Sequence, residues 1–188
     1  MLFDGRGNQC AAELTAVRRA QIDVQVGPAV SVPPPPRRLH LAFAPPRWQR
    51  AEWLFEHGTE LGVMVFHPLW TERTRPQGER ADRWRKLTVA AAGQCDRAWL
   101  PEVTELRSLA EFLADPALPA LRFVGVGGAP RPDPRAATDC VLLVGPEGGL
   151  TPAELATAQS AGFLPCGLGP HVLRTETAAL VGAALLLA

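Results

Sequence analysis

Residues 142–159 read LLVGPEGGLTPAELATAQ. An apolar run enters a turn of glycine, proline and one carboxylate, and a helix start follows at once. Local chemistry specifies that helix start. Thr151 is an N-cap, Pro152 fits the first helical position, and Glu154 completes a Thr-x-x-Glu capping box. The turn therefore spans Gly145–Leu150, at the carboxyl end of a strand. Ligands of open α/β sheets bind at that edge, and glycines there let a ligand touch backbone because no Cβ intervenes. A helix N-terminus attracts anions. Glu147 inside the turn repels phosphate, however, and suits a cationic or hydrogen-bond-donating ligand.

A second stretch, LGPHVLRTETAAL (168–180), repeats the design: a strand end, Gly-Pro, then a polar helix start. Arg174, Thr175, Glu176 and Thr177 crowd an otherwise apolar segment, and polar groups between a buried strand and a buried helix need partners. A third glycine-rich strand end is VGVGGAP (124–130). It lacks the acidic residue that follows dinucleotide-binding glycines after ~20 residues. Three such loops at one sheet edge make one pocket.

Outward from these loops, strands alternate with helices, which predicts a parallel sheet covered on both faces. The strands are LHLAFA (39–44), VMVFHPL (63–69), a short piece within AWLPEVT (98–104), LRFVGV (121–126), CVLLVG (140–145) and FLPCGL (163–168). Helices are expected over 47–62, with Gly62 as its C-terminal cap, over 80–95, near 107–114, from Thr151 to about Gly162, and over 175–188. Before them, short strands occupy residues 2–26, and Ile22, Val24 and Val26 alternate as in a half-buried strand. Pro33–Pro36 cannot join a sheet interior or a helix. They divide the chain into a β segment (1–32), a proline-rich linker (33–38) and a main domain (39–188).

The formal net charge is zero, so no global field announces a nucleic-acid partner. Arginine outnumbers lysine 18 to 1, which genomic composition produces as readily as phosphate recognition. Arg73, Arg75, Arg80, Arg83, Arg85, Lys86 and Arg97 form a basic stretch suited to an RNA backbone. Glu72, Glu79, Asp82 and Asp96 are interleaved, as on a solvated helix face. The five tryptophans (48, 53, 70, 84 and 99) read as core, because several fall on helix stripes. Cys10, Cys95, Cys140 and Cys166 form no CxxC pair and read as free, buried thiols in a reducing cytoplasm; neither they nor the four histidines have metal-ligand spacing. No signal peptide is expected, and the apolar run 178–188 is short of the ~20 residues that span a bilayer.

Four ordered segments, EWLFEHGTELGV (52–63), RWRKLTVAAAGQCDRAWLPEV (83–103), LLVGPEGGLTPAE (142–154) and LGPHVLRTETAAL (168–180), resemble the 16S ribosomal RNA (uracil-N3)-methyltransferase family of the SPOUT superfamily. The likeness runs from about Leu39 to Ala188. It implies an α/β fold with a C-terminal trefoil knot, S-adenosylmethionine held in the knot, a cytoplasmic homodimer with each active site near the interface, and a uridine of the small-subunit ribosomal RNA as acceptor. Carried over by position, the cofactor pocket comprises Val126 and Gly127, then Gly145, Pro146, Glu147, Gly148 and Gly149, then Leu168, Gly169, Val172 and Leu173. Arg174 and Glu147 fall on the Arg and Glu of the family's two motifs and are the catalytic candidates; the RNA-binding candidates, Arg73, Arg75, Arg80, Arg83 and Arg97, come from the basic stretch and not from the resemblance. His171 and His57 stand where family members often carry Arg and Lys. The family begins with a PUA-like β-barrel, of which the segment near LFDGRGNQ resembles the second half. The competing readings are a non-catalytic RNA-binding or ribosome-assembly module on the same fold, and a phosphate- or nucleotide-binding enzyme. The latter lacks GxxxxGK[ST] and carries Glu147 in its loop.

Overall fold

A computed structural model describes residues 1–74, 80–133 and 139–188, with Trp48 described by its backbone alone. In chain order the elements are β1 (Leu2–Phe3), β2 (Asn8–Cys10), β3 (Ala12–Arg18), β4 (Gln21–Val26), β5 (Val30–Ser31), β6 (Arg38–Phe43), α1 (Trp48–Leu61), β7 (Val65–Trp70), α2 (Ala81–Gln94), β8 (Glu102–Val103), β9 (Arg107–Ser108), α3 (Leu109–Leu113), β10 (Leu121–Gly125), β11 (Asp139–Val144), α4 (Pro152–Ser160), β12 (Phe163–Cys166) and α5 (Thr175–Leu187).

The main sheet is parallel, in the order β12-β10-β11-β6-β7-β8, with β9 also pairing β7. Its central strands are apolar on both faces, as covered parallel strands must be. In β11, Cys140, Leu142 and Val144 pack with Leu54, Phe55, Trp84, Ala183 and Leu186 of α1, α2 and α5. Val141 and Leu143 pack on the other face with Phe112, Leu113 and Ala158 of α3 and α4. Burial raises the Cys140 thiol to about 11 and that of Cys166 to about 12. Cys10 and Cys95 are only half-buried.

Local signals were accurate where they were strongest. Gly62 ends α1 in the left-handed region at φ 104°, and Thr151 with Glu154 forms a complete capping box on α4. After β10 and β12 two backbone segments cross in direct contact. Gly167 N–H donates to the Pro130 carbonyl at 2.7 Å, and a Cβ on Gly167 would lie 2.0 Å from the Ala129 carbonyl oxygen.

The first 31 residues form a small β1-β2-β5 sheet and a separate β3-β4 hairpin. The small sheet leans on the main body: Gly7 N–H donates to Ala98, Leu100 N–H to Gly5, and Trp99 Nε1 to Val32, each at 3.0 Å. The hairpin departs from expectation. A bulge between Leu14 and Ala16 brings Leu14, Val17, Ile22, Val24 and Val26 onto one face. That face is exposed rather than half-buried, with Ile22 at 62%. Alternation specifies the face, but nothing among the described residues covers it. No described helix is long and apolar enough to cross a membrane.

Candidate functional site

The carboxyl ends of β10, β11 and β12, neighbours in the sheet, open into one cavity of about 400 Å³. Each loop that the sequence singled out supplies part of its wall: Val126 and Gly127 after β10, Gly145 to Gly149 after β11, and Leu168, Gly169, Val172 and Leu173 after β12. The capping box starts α4 abruptly, so the turn before it is compact. Gly149 N–H donates to the Pro146 carbonyl at 2.8 Å, and Gly149 holds φ +70°, which glycine adopts without strain. Cβ atoms added at Gly127 or Gly149 would meet nothing within 4 Å. Glu147 is the one carboxylate among the described residues of the wall, and the remaining lining is mainly apolar side chain and backbone.

Polar ties to neighbouring elements secure the turn. Thr175 Oγ1 donates to the Gly145 carbonyl at 3.1 Å, joining the start of α5 to the start of the turn. Arg73 Nη1 donates to the Gly148 carbonyl. Arg50 Nη1 donates to Glu147 Oε1 at 2.7 Å, while its Nε lies 3.6 Å from Glu176 Oε1. Arg174 stands at the N-cap of α5 with an exposed side chain, which has neither a hydrogen bond nor an ion pair among the described residues. Its side chain is absent from the cavity wall; the carboxylate of Glu147 meets Arg50 instead.

Arg50 and Glu176 were not among the expected site residues. Glu176 carried a signal, as part of the polar cluster 174–177. Arg50 carried a subtler one. It lies in the first turn of α1, where the helix dipole disfavours a cation and an anionic partner offsets that cost.

The arginines assigned to RNA separate into groups. Arg75 lies outside the described residues. Arg73 is tied to the turn. Arg83 forks onto Glu52, with Nη2 to Oε2 at 2.8 Å, and Arg80 lies 3.8 Å from the same carboxylate. The Arg83 hydrogen bond holds the Glu52 carboxyl below its usual range. Arg97 is a correction. Its guanidinium points inward and donates to the carbonyls of Thr59 and Val63, on either side of the Gly62 cap of α1, and burial lowers its basicity. It therefore offers no free donor fork to a phosphate. The tryptophans also divide. Trp84 is buried and stacks on Phe55 at 4.8 Å, but Trp53 and Trp70 are each 43% exposed, so they are not core.

A different polar cluster lies on the β6-β7-β8 half of the sheet. His40 Nδ1 and His67 Nε2 are 3.1 Å apart, Arg107 Nη1 donates to Asp115 Oδ2 at 2.8 Å, and Arg107 Nη2 lies 3.5 Å from His67 Nδ1. Burial, then the charges of His40 and Arg107, pushes His67 down to about 3. No group of three metal-ligating side chains occurs among the described residues.

Residues 33–187 match the family described as RNA methyltransferase domain. The chain belongs to this family. The "Ribosomal RNA small subunit methyltransferase E" of Synechocystis sp. is 34% identical, over 98% of this chain and 64% of that protein. The protein of the same name from Bacillus subtilis is 30% identical, over 77% of this chain and 63% of that protein. The chain thus spans just under two thirds of the length of these curated relatives. Within the family's solved structures, the Neisseria gonorrhoeae ribosomal RNA small subunit methyltransferase E bound to S-adenosyl methionine matches with a TM-score of 0.87 at 28% identity, covering 97% of this chain and 79% of that one.

Proposed function

We propose that this protein transfers a methyl group from S-adenosylmethionine to N3 of a uridine in 16S ribosomal RNA, acting as a cytoplasmic homodimer. The observation that carries this reading is the cavity at β10-β11-β12, whose wall holds every residue named for the cofactor. The group fits on structural grounds. Gly127 and Gly149 leave open space that a Cβ would occupy, and the Glu147 carboxylate in the wall complements a sulfonium cation better than a phosphate. Further support comes from the Neisseria relative, which carries S-adenosyl methionine. The backbone crossing at Gly167 would be the tight point of a trefoil knot.

S-adenosylmethionine bound there supplies an electrophilic methyl on a cationic sulfur. The protein's part is to align N3 with it, and to stabilise the charge left when N3 loses its proton. Arg174 is exposed, next in the chain to the wall residues Leu173 and Thr175, and its side chain is unpaired among the described residues, which suits a uracil oxygen or the adjoining phosphate. One Glu147 oxygen is already held by Arg50, so holding turn and ligand is the role of Glu147 with a geometric counterpart. Arg80 and Arg83 would track the RNA backbone, exchanging Glu52 for phosphate, while Arg73 holds the turn between them and the cofactor.

The test pairs calorimetric titration of S-adenosylmethionine with transfer of labelled methyl to small-subunit RNA. Gly127→Leu projects a side chain into open cavity space, so it should abolish cofactor binding while leaving the fold intact. Arg174→Ala should retain binding and lose about a hundredfold in transfer, the scale of one removed charge-stabilising donor. Unaltered binding by Gly127→Leu would mean that the cavity is not the cofactor site. Unaltered transfer by Arg174→Ala would remove that residue from the chemistry.

A further inference from the structure

The cofactor turn contains three glycines in five residues, 145–149, and one internal hydrogen bond, Gly149 N–H to Pro146. A segment of that composition loses much conformational freedom on ordering, so its shape depends on what grips it from outside. Arg50 has the geometry for this. Its Nη1 reaches Glu147 in the cavity wall and its Nε faces Glu176 in the first turn of α5. Glu176 is buried, and its Oε2 has no hydrogen-bond partner among the described residues. Arg50 thus answers one buried and one exposed carboxylate together. It joins α1, α5 and the turn through a fork that a single ammonium cannot reproduce. The outer pair, Arg50 with Glu147, is solvent-exposed on both sides and so contributes little to global stability. Its effect is local, on the ordering of the turn.

We propose that Arg50 is the positioning residue of the cofactor turn, acting through Glu147. As far as the ligand is concerned, this rests on the methyltransferase reading; as far as the turn is concerned, it does not. The informative variant is Arg50→Lys, which keeps a charge against buried Glu176 but loses the fork. Amide hydrogen exchange is measured first, without any cofactor. Gly149 should exchange about tenfold faster in Arg50→Lys than in the parent, a local opening of ~1.4 kcal/mol by the tenfold conversion, while core amides of β11 keep their rates. S-adenosylmethionine binding should weaken by a similar factor, with KM rising more than kcat falls. Glu147→Gln should do the same, and the double variant should be no worse than either single one, as for two residues sharing one interaction. Unchanged Gly149 exchange in Arg50→Lys would overturn the proposal, and so would strictly additive effects. If the parent fails to bind S-adenosylmethionine, the methyltransferase reading falls while the exchange measurement still decides the role of Arg50.

Discussion

On the β10-β11-β12 half of the sheet, the cavity wall is largely glycine, leucine and valine, and the arginines that serve it stand outside, gripping its loops. On the β6-β7-β8 half, a cavity of about 360 Å³ is walled by His40, His67, Thr104, Arg107 and Asp115, which satisfy mostly one another. Glycine backbone and apolar side chains line the first, and mostly polar side chains line the second. A glycine-rich wall leaves its backbone hydrogen-bonding groups and space to a ligand. A wall of mutually bonded side chains has few free groups, and its energetics belong to folding. The contrast separates ligand effects from stability effects by location.

A sharp break in this comparison comes at the backbone crossing after β10 and β12, on the same half of the sheet. Gly167→Ala would set a Cβ 2.0 Å from the Ala129 carbonyl, where rigid backbone has to yield. We expect ~3 kcal/mol of destabilisation, at the upper end of overpacking costs, read as a shift in the urea midpoint together with weaker cofactor binding. A loss below ~1 kcal/mol would mean that the crossing segments are free to separate, and that this edge is less preorganised than its geometry indicates.

Much of the first half was legible in the sequence because its determinants are local. The capping box at Thr151 and Glu154, the glycine cap at Gly62 and the apolar run of β11 each act within a few residues. The cavity wall was legible for the same reason: three strand ends carry glycines, and a parallel sheet delivers those ends to one edge. The grip on the wall was not. Arg50 and Glu147 are 97 residues apart in the chain, and neither neighbourhood names the other. Charge alone also hides direction. Arg97 sits in a basic stretch yet turns inward, onto the carbonyls of Thr59 and Val63 around the end of α1. Trp53 could have been placed better. The buried side of α1 runs through Ala51, Leu54 and Phe55, and Trp53 falls off it, tilted over His57 with ring centroids 4.4 Å apart. In the β3-β4 hairpin, alternation gave the correct face but could not say whether anything lies on it.

Arg97 offers a second, smaller test. Arg97→Ala removes a half-buried guanidinium from the carbonyls of Thr59 and Val63, so we expect ~2 kcal/mol of lost stability, the scale of charge-assisted bonds. RNA affinity and its salt slope should stay at the parent values. Arg83→Ala should show the reverse: nearly parental stability, and a salt slope smaller by about one. If Arg97→Ala instead lowers the salt slope, the inward assignment is wrong, and the basic face extends further than Arg80 and Arg83.

A further test probes the second cavity directly through pH. In the unfolded chain His67 returns to its ordinary 6.5, whereas in the fold it is held near 3, chiefly by burial and then by the charges of His40 and Arg107. The fold therefore keeps the imidazole neutral while the unfolded chain takes up a proton as pH falls below 6.5. Stability from this source is complete above that value and drains away between 6.5 and 3, at up to ~1.4 kcal/mol per pH unit. His40, also lowered by burial, adds to the slope in the same direction. Asp115, held below its usual value by the Ala117 amide and Arg107, loses its contribution only at lower pH, as pH falls below 3.8. The window from 6.5 to 4.5 is thus dominated by the histidine pair. Melting temperature should fall across it in the parent and much less in His67→Gln, while cofactor affinity relative to the parent stays level throughout. If the parent shows no loss of melting temperature between pH 6.5 and 4.5, water already reaches His67 and can solvate its charge. The cavity of polar side chains would then be open to ligands in the same sense as the glycine-rich one.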